Sequence, residues 1–146
     1  MKKKLYIMAA ALIAAVSCQK DGDRVLEQIS GEWHYSATES GVAEDIYVAF
    51  SEDGTFEIYQ KIGEGPYWYS TGDYKLDAES MVLSGVYTDR YPWKYTYKIS
   101  VSDKTLTMTA VEQDGHSVTY ARESIPVQVR QMSLPLTKSE PVVLFL

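Results

Sequence analysis

The 146-residue chain carries 20 acidic against 14 basic side chains, a formal charge of −6, and that balance disfavours nucleic acid and anionic lipid surfaces, which select basic patches. Its length suits one domain without internal repeats, and its single cysteine excludes an intramolecular disulfide, so stability must come from the core. Twelve tyrosines against three phenylalanines favour strands and leave many hydroxyls in need of partners.

Met1 to Lys4 is basic, and the twelve residues Leu5 to Val16 are apolar except Tyr6. The run is too short to span a bilayer as a helix and has the layout of a secretory signal. It ends at Ala15-Val16-Ser17-Cys18, which resembles the lipobox of bacterial lipoproteins. The resemblance implies cleavage after residue 17 and lipidation of Cys18 with palmitate-type acyl chains. One acyl chain holds only marginally, at about 0.8 kcal/mol per buried methylene, so two or three on one residue give a stable anchor without a transmembrane helix. Gln19-Lys20-Asp21-Gly22-Asp23 resembles the export signal behind the lipid cysteine in surface lipoproteins of the Bacteroidota, which would place the protein on the outer membrane facing outward; a periplasm-facing anchor is the alternative. On either reading residues 18–28 are expected to be a polar tether. Loss of residues 1–17 leaves 11 basic against 20 acidic side chains and a formal charge of about −9.

From Gly31-Glu32-Trp33-His34-Tyr35 onward the pattern is two-residue alternation interrupted by turn signals. The first strand, Glu32 to Thr38, places Trp33, Tyr35 and Ala37 on one face. The second, Asp45 to Phe50, places Ile46, Val48 and Phe50 together, and Ser51-Glu52-Asp53-Gly54 forms a hairpin turn. The third carries Phe56, Ile58 and Ile62 inward. After Gly63-Glu64-Gly65-Pro66 the fourth runs from Tyr67 to Leu76, with Trp68, Tyr74 and Leu76 sharing a parity and Tyr67 and Tyr69 facing out. The fifth covers Met81 to Tyr87. Gly72 and Gly85 lie inside these two strands, where a bulge or sharp bend is expected. The sixth, Trp93 to Val101, sets Trp93, Tyr95, Tyr97, Ile99 and Val101 against a polar face of Lys94, Thr96, Lys98 and Ser100. The seventh has Leu106, Met108 and Ala110 inward, Asp114-Gly115 marks the last hairpin, and the eighth carries Val118, Tyr120 and Arg122. Beyond it Ile125, Val129 and Met132 recur at helical spacing, and the apolar end Pro141 to Leu146 is expected to pack on the barrel.

Eight strands joined by short turns predict an all-β fold, an eight-stranded up-and-down antiparallel barrel whose closure removes its edges, with an irregular C-terminal tail. The barrel should span residues 29–123 and the tail residues 124–146. A transmembrane barrel would place the lysine, threonine and serine of the outward face in hydrocarbon. Gly31-Glu32-Trp33 at the start of the first strand resembles the Gly-x-Trp signature of the lipocalins. Arg122 matches the arginine that this superfamily sets across the tryptophan to close the base. Gly72-Asp73-Tyr74-Lys75-Leu76, with Leu83, Gly85, Tyr87 and Trp93, resembles the lipocalin-like domain of small Bacteroidota lipoproteins. The resemblance implies a structural role for Gly31, Trp33 and Arg122. A buried guanidinium stacked on the indole would gain cation–π energy of about 1 to 2 kcal/mol if its donors reach backbone carbonyls.

No metal or cofactor site is expected. His34 on the outer parity and His116 in a turn lack a third partner at useful spacing, and no nucleophile elbow, phosphate loop or CxxC motif occurs, so the chain reads as a non-enzyme. An eight-stranded barrel can be filled or hollow. The inward aromatics are either core or the lining of a pocket, in which case Tyr35, Trp68, Tyr74, Tyr87, Trp93, Tyr95, Tyr97 and Tyr120 would contact the ligand. Two functions follow: an anchored barrel binding a small amphipathic molecule or glycan fragment, or a filled barrel serving as an interaction or accessory module in an envelope complex. The oligomeric state stays open.

Overall fold

A computed structural model describes residues 21–136 and 144–146. Cys18, the expected signal segment and residues 141–143 of the apolar end lie outside the described residues. The order of elements is a helix α1 (residues 21–29), then β1 (Gly31–Glu39), β2 (Val42–Phe50), β3 (Thr55–Ile62), β4 (Trp68–Asp77), β5 (Val82–Tyr87), β6 (Tyr97–Val101), β7 (Thr105–Ala110), β8 (Ser117–Arg122), α2 (Val127–Met132) and β9 (Leu134–Pro135).

Strands β1 to β8 each pair antiparallel with the next. β8 returns to β1 through Trp33↔Arg122 and His34↔Ala121, so the sheet closes into an eight-stranded antiparallel barrel. The alternation in the sequence is the cause: one parity of each strand supplies apolar side chains to a single interior. Trp33, Ile46, Val48, Phe50, Phe56, Ile58, Tyr74, Leu83, Tyr87, Tyr97, Ile99, Leu106, Met108, Val118 and Tyr120 belong to one buried cluster. The outer wall of β7 and β8 is polar, with Thr107 and Thr109 hydroxyls bonded at 3.0 Å to Thr119 and Ser117 across the ladder.

One end of the barrel, the base, carries the start of β1 and the β4–β5 turn. Helix α1 closes it: Ile29 is fully buried, and Val25 and Leu26 pack against the core. The expected polar tether is therefore helical from residue 21, because Val25, Leu26 and Ile29 recur at the three- and four-residue spacing that puts them on one helix face. At the other end, the mouth, β5 does not extend alongside Trp68 and Tyr69 of β4. β9 takes that vacant edge in parallel, with the Leu134 and Leu136 N–H groups donating to the carbonyls of Tyr67 and Tyr69 at 2.9 and 2.8 Å.

Several expectations change. The sixth strand begins at Tyr97; residues 91–96 are irregular apart from a bridge at Pro92. Proline has no N–H for a ladder, yet Trp93 still points inward and its own N–H donates to Gly85 O at 2.9 Å. Neither Gly72 nor Gly85 makes a bulge, since both keep continuous register with Tyr87 and Tyr74. Gly85 instead makes room: a β-carbon there would lie 2.1 Å from Trp93 Cε2. Ile62 is exposed, and Gln60 takes the inward place above Ile58 at 2% exposure. Met132 is exposed, whereas Ile125 and Val129 join Tyr47 and Tyr59 in a second cluster outside the wall, with Tyr67 and Tyr69 packed against it. Tyr67 and Tyr69 do face outward, but the tail covers them.

Candidate functional site

The residues expected to carry function separate into a base group and a mouth group. At the base, the Arg122 guanidinium lies 4.1 Å from the centre of the Trp33 ring. It donates through Nε to Asp103 O at 2.7 Å, through Nη1 to Ser30 O at 3.1 Å and through Nη2 to Gln28 O at 2.6 Å. Trp33 is fully buried, and its Nε1 donates to Ile29 O at 2.7 Å. Gly31 sits beneath the arginine at φ +129°, where a β-carbon would come within 2.6 Å of Nη1, so both the backbone geometry and the space require glycine. The arginine joins β8, the β6–β7 turn and the end of α1, as the stacking argument requires. It differs from the expectation in one respect: Arg122 is exposed rather than buried. The three carbonyls that accept from it lie at the base, on the end of α1 and on the β6–β7 turn.

Tyr74 also belongs to the base. It is buried edge-on to Phe50 and donates to Ser51 O at 2.7 Å, which removes it from any ligand-lining set. Trp93 is wedged between Phe50, Phe56 and Tyr97, with ring centres 5.2 to 6.4 Å away. It too is interior packing.

The mouth holds a recess of about 190 Å³ lined by residues that include Tyr35, Glu39, Glu44, Tyr95, His116 and Phe145. Of the eight aromatics proposed for a pocket, only Tyr35 and Tyr95 reach it; Trp68 is half-buried opposite Gln60. Burial, with Glu44 and Glu39 close by, raises the Tyr35 hydroxyl above its usual range. The Tyr95 hydroxyl donates to Gln113, and its ring lies 5.4 Å from His116.

Beneath the recess the chain's own end occupies the barrel. Leu146 is 2% exposed, and its carbonyl accepts from the Tyr87 hydroxyl at 3.1 Å. The Phe145 N–H donates to Gln60 Oε1 at 3.0 Å, and the Phe145 ring packs 5.6 Å from Tyr35. Deeper still, the Tyr120 hydroxyl and Trp93 Nε1 are buried without a hydrogen-bond partner among the described residues. Burial pushes Tyr97 up to about 12 and raises Tyr87 and Tyr120 as well, so these hydroxyls remain protonated donors.

Sequence spacing missed two features. Gln60 carried no signal, because its importance depends on a tail 85 residues away. Spacing along the chain offers His34 and His116 no third partner for a metal or acid–base group, and it gives no sign of the carboxylates that flank His34 on the outer wall, where its Nε2 lies 2.6 Å from Asp45 Oδ1 and its Nδ1 2.9 Å from Glu123 Oε2. Tyr67 donates to the other Asp45 oxygen, and the imidazole stacks on Tyr47 at 4.2 Å. Burial opposes protonation of His34, but the hydrogen bonds from Asp45 and Glu123 outweigh it and raise its pKa. Antiparallel register (Ser36↔Asp45, His34↔Ala121) was the signal that could have found both partners. Among the described residues no group of His, Cys, Asp and Glu is arranged to hold a metal ion.

An NMR structure of a protein from Bacteroides uniformis ATCC 8492 is similar to this chain, with a TM-score of 0.51 and 16% identity over 67% of this chain and 90% of that one. At that identity the likeness concerns the fold alone. No family model matches the chain, and no curated protein matches it in sequence.

Proposed function

We propose that the protein is a lipid-anchored, non-enzymatic interaction module of the cell envelope, a lipocalin-like barrel whose interior is filled by its own chain. The observation that carries this reading is the burial of Leu146, held by Tyr87 and flanked by the Gln60–Phe145 bond. Space that a hollow barrel would give to a ligand is occupied by Leu146, and the recess described at the mouth, about 190 Å³, is smaller than the roughly 300 to 1,000 Å³ usual for small-molecule pockets. Anchoring at Cys18 is consistent with this arrangement. Residues 21–29 form the helix that caps the base, so a lipid attached at Cys18, on the N-terminal side of these residues, would put the membrane on the side away from the mouth. The chemistry fits a binding surface rather than a catalyst, since the one histidine flanked by two carboxylates lies on the outer wall and not in the recess.

A second reading is favoured by the recess itself. Two aromatic rings, Tyr35 and Tyr95, beside the carboxylates of Glu39 and Glu44 make a surface to which one sugar unit or the head of an amphipathic molecule could bind. Native mass spectrometry of the protein isolated from its own cells separates the two readings. The filled-barrel reading expects the mass of the chain plus its acyl chains; a stoichiometric extra mass of several hundred daltons overturns it.

A further inference from the structure

The chamber beneath the mouth contacts its occupant as a peptide. Side chains of the wall bond to the main chain of the tail, Gln60 Oε1 to the N–H of Phe145 and the Tyr87 hydroxyl to the carbonyl of Leu146, while Phe145 lies beside Tyr35 and Leu146 enters the core cluster. Gln60 is the only polar or charged residue counted as buried among the described residues, and a buried side-chain amide is costly unless it has a hydrogen-bonding role. Here that role is to bind a peptide N–H. Bonds of this kind differ from a sheet ladder: wall side chains, not a neighbouring strand, bind the main chain of the segment. Tyr120, whose ring lies 6.0 Å from that of Tyr35, has a buried hydroxyl without a partner among the described residues, and a buried donor of this kind ordinarily finds an acceptor.

We infer that this chamber is a binding site for an extended apolar peptide segment of another polypeptide, held closed in cis by residues 144–146. The inference rests on the filled-barrel reading and deepens it by naming the occupant. A tethered tail competes at an effective concentration in the millimolar range, so a peptide in trans binds weakly until the tail leaves.

The test uses the intact chain and a fluorescently labelled peptide with the sequence of residues 141–146, followed by anisotropy. Leu146→Asp, which replaces the buried apolar side chain with a carboxylate, should expel the tail and raise peptide affinity at least tenfold over wild type. Adding Gln60→Leu to that variant should lower the affinity again about tenfold. Equal affinity of wild type and a folded Leu146→Asp variant overturns the inference, as does a variant that binds dodecanoate but not the peptide. If Leu146→Asp does not fold, amide hydrogen exchange on the unaltered chain decides. The Phe145 N–H should exchange through local opening, well before the amide of Tyr97 in the core. Exchange of both only with global unfolding makes the tail a permanent part of the core; that outcome refutes the displaceable peptide site and leaves the filled-barrel reading standing.

Discussion

Replacing Gly85 by alanine tests the interior packing directly. The new β-carbon would lie 2.1, 2.5 and 2.6 Å from Trp93 Cε2, Cζ2 and Cδ2, where carbon atoms settle at about 3.5 to 4.0 Å. The indole must therefore retreat by more than an ångström. It has nowhere to go: Phe56 is 5.2 Å away ring to ring, Tyr97 6.0 Å and Phe50 6.4 Å, and Trp93 is only 5% exposed. Overpacking of this kind costs about 1 to 3 kcal/mol. Gly85 is not among the glycines with positive φ, so alanine restricts the unfolded chain and returns about 0.4 to 1 kcal/mol. The net expectation is a loss of about 1 to 2 kcal/mol, which for a barrel of this size lowers Tm by roughly 5 to 15 °C. Urea denaturation followed by circular dichroism measures it, and a double-mutant cycle with Trp93→Phe should show a coupling of at least about 0.5 kcal/mol, because the smaller ring makes room. An alanine variant as stable as wild type, or a coupling near zero, would falsify the account of Gly85 as space for the indole.

Trp33→Ala should destabilise by about 3 to 5 kcal/mol, the range for emptying a buried tryptophan site; an unchanged melting curve would remove Trp33 from the core. Arg122→Lys keeps the charge but cannot reach the Gln28, Ser30 and Asp103 carbonyls together, so it should lose about 1 to 2 kcal/mol by chemical denaturation, and a loss below about 0.5 would reduce the arginine to a surface charge. His34 bears on pH. Its folded pKa is raised above 6.5, so the folded state holds the proton more tightly than the unfolded chain. The stabilisation is full below 6.5 and disappears as pH rises through the folded value. Wild type should thus lose stability relative to His34→Gln as pH rises above 6.5 and through the raised folded value, and parallel stability curves for the two proteins would contradict the paired-carboxylate geometry.

The period of two along the chain determined by itself that this is a closed antiparallel barrel. Alternation decides which side chains share a face, short turns decide that neighbours in sequence are neighbours in space, and closure into a barrel lets eight such strands bury one apolar face while leaving no edge. The Trp33–Arg122 pair was legible through the resemblance to the lipocalin signature, and closure of β8 on β1 brings the two residues together. Tertiary structure alone decided what lies inside and outside the wall. Gln60 carries the same inward parity as Phe56 and Ile58, and nothing local distinguishes an inward glutamine that faces water from one that bonds to Phe145. Tyr47, Tyr59, Tyr67 and Tyr69 read as a solvent face until α2 and the tail cover them. The fit of residues 144–146 into the mouth depends on the open β4 edge that β9 fills and on the volume left by the other aromatics. Those quantities are sums over the whole barrel, and alternation, which is a property of adjacent residues, holds no information about them.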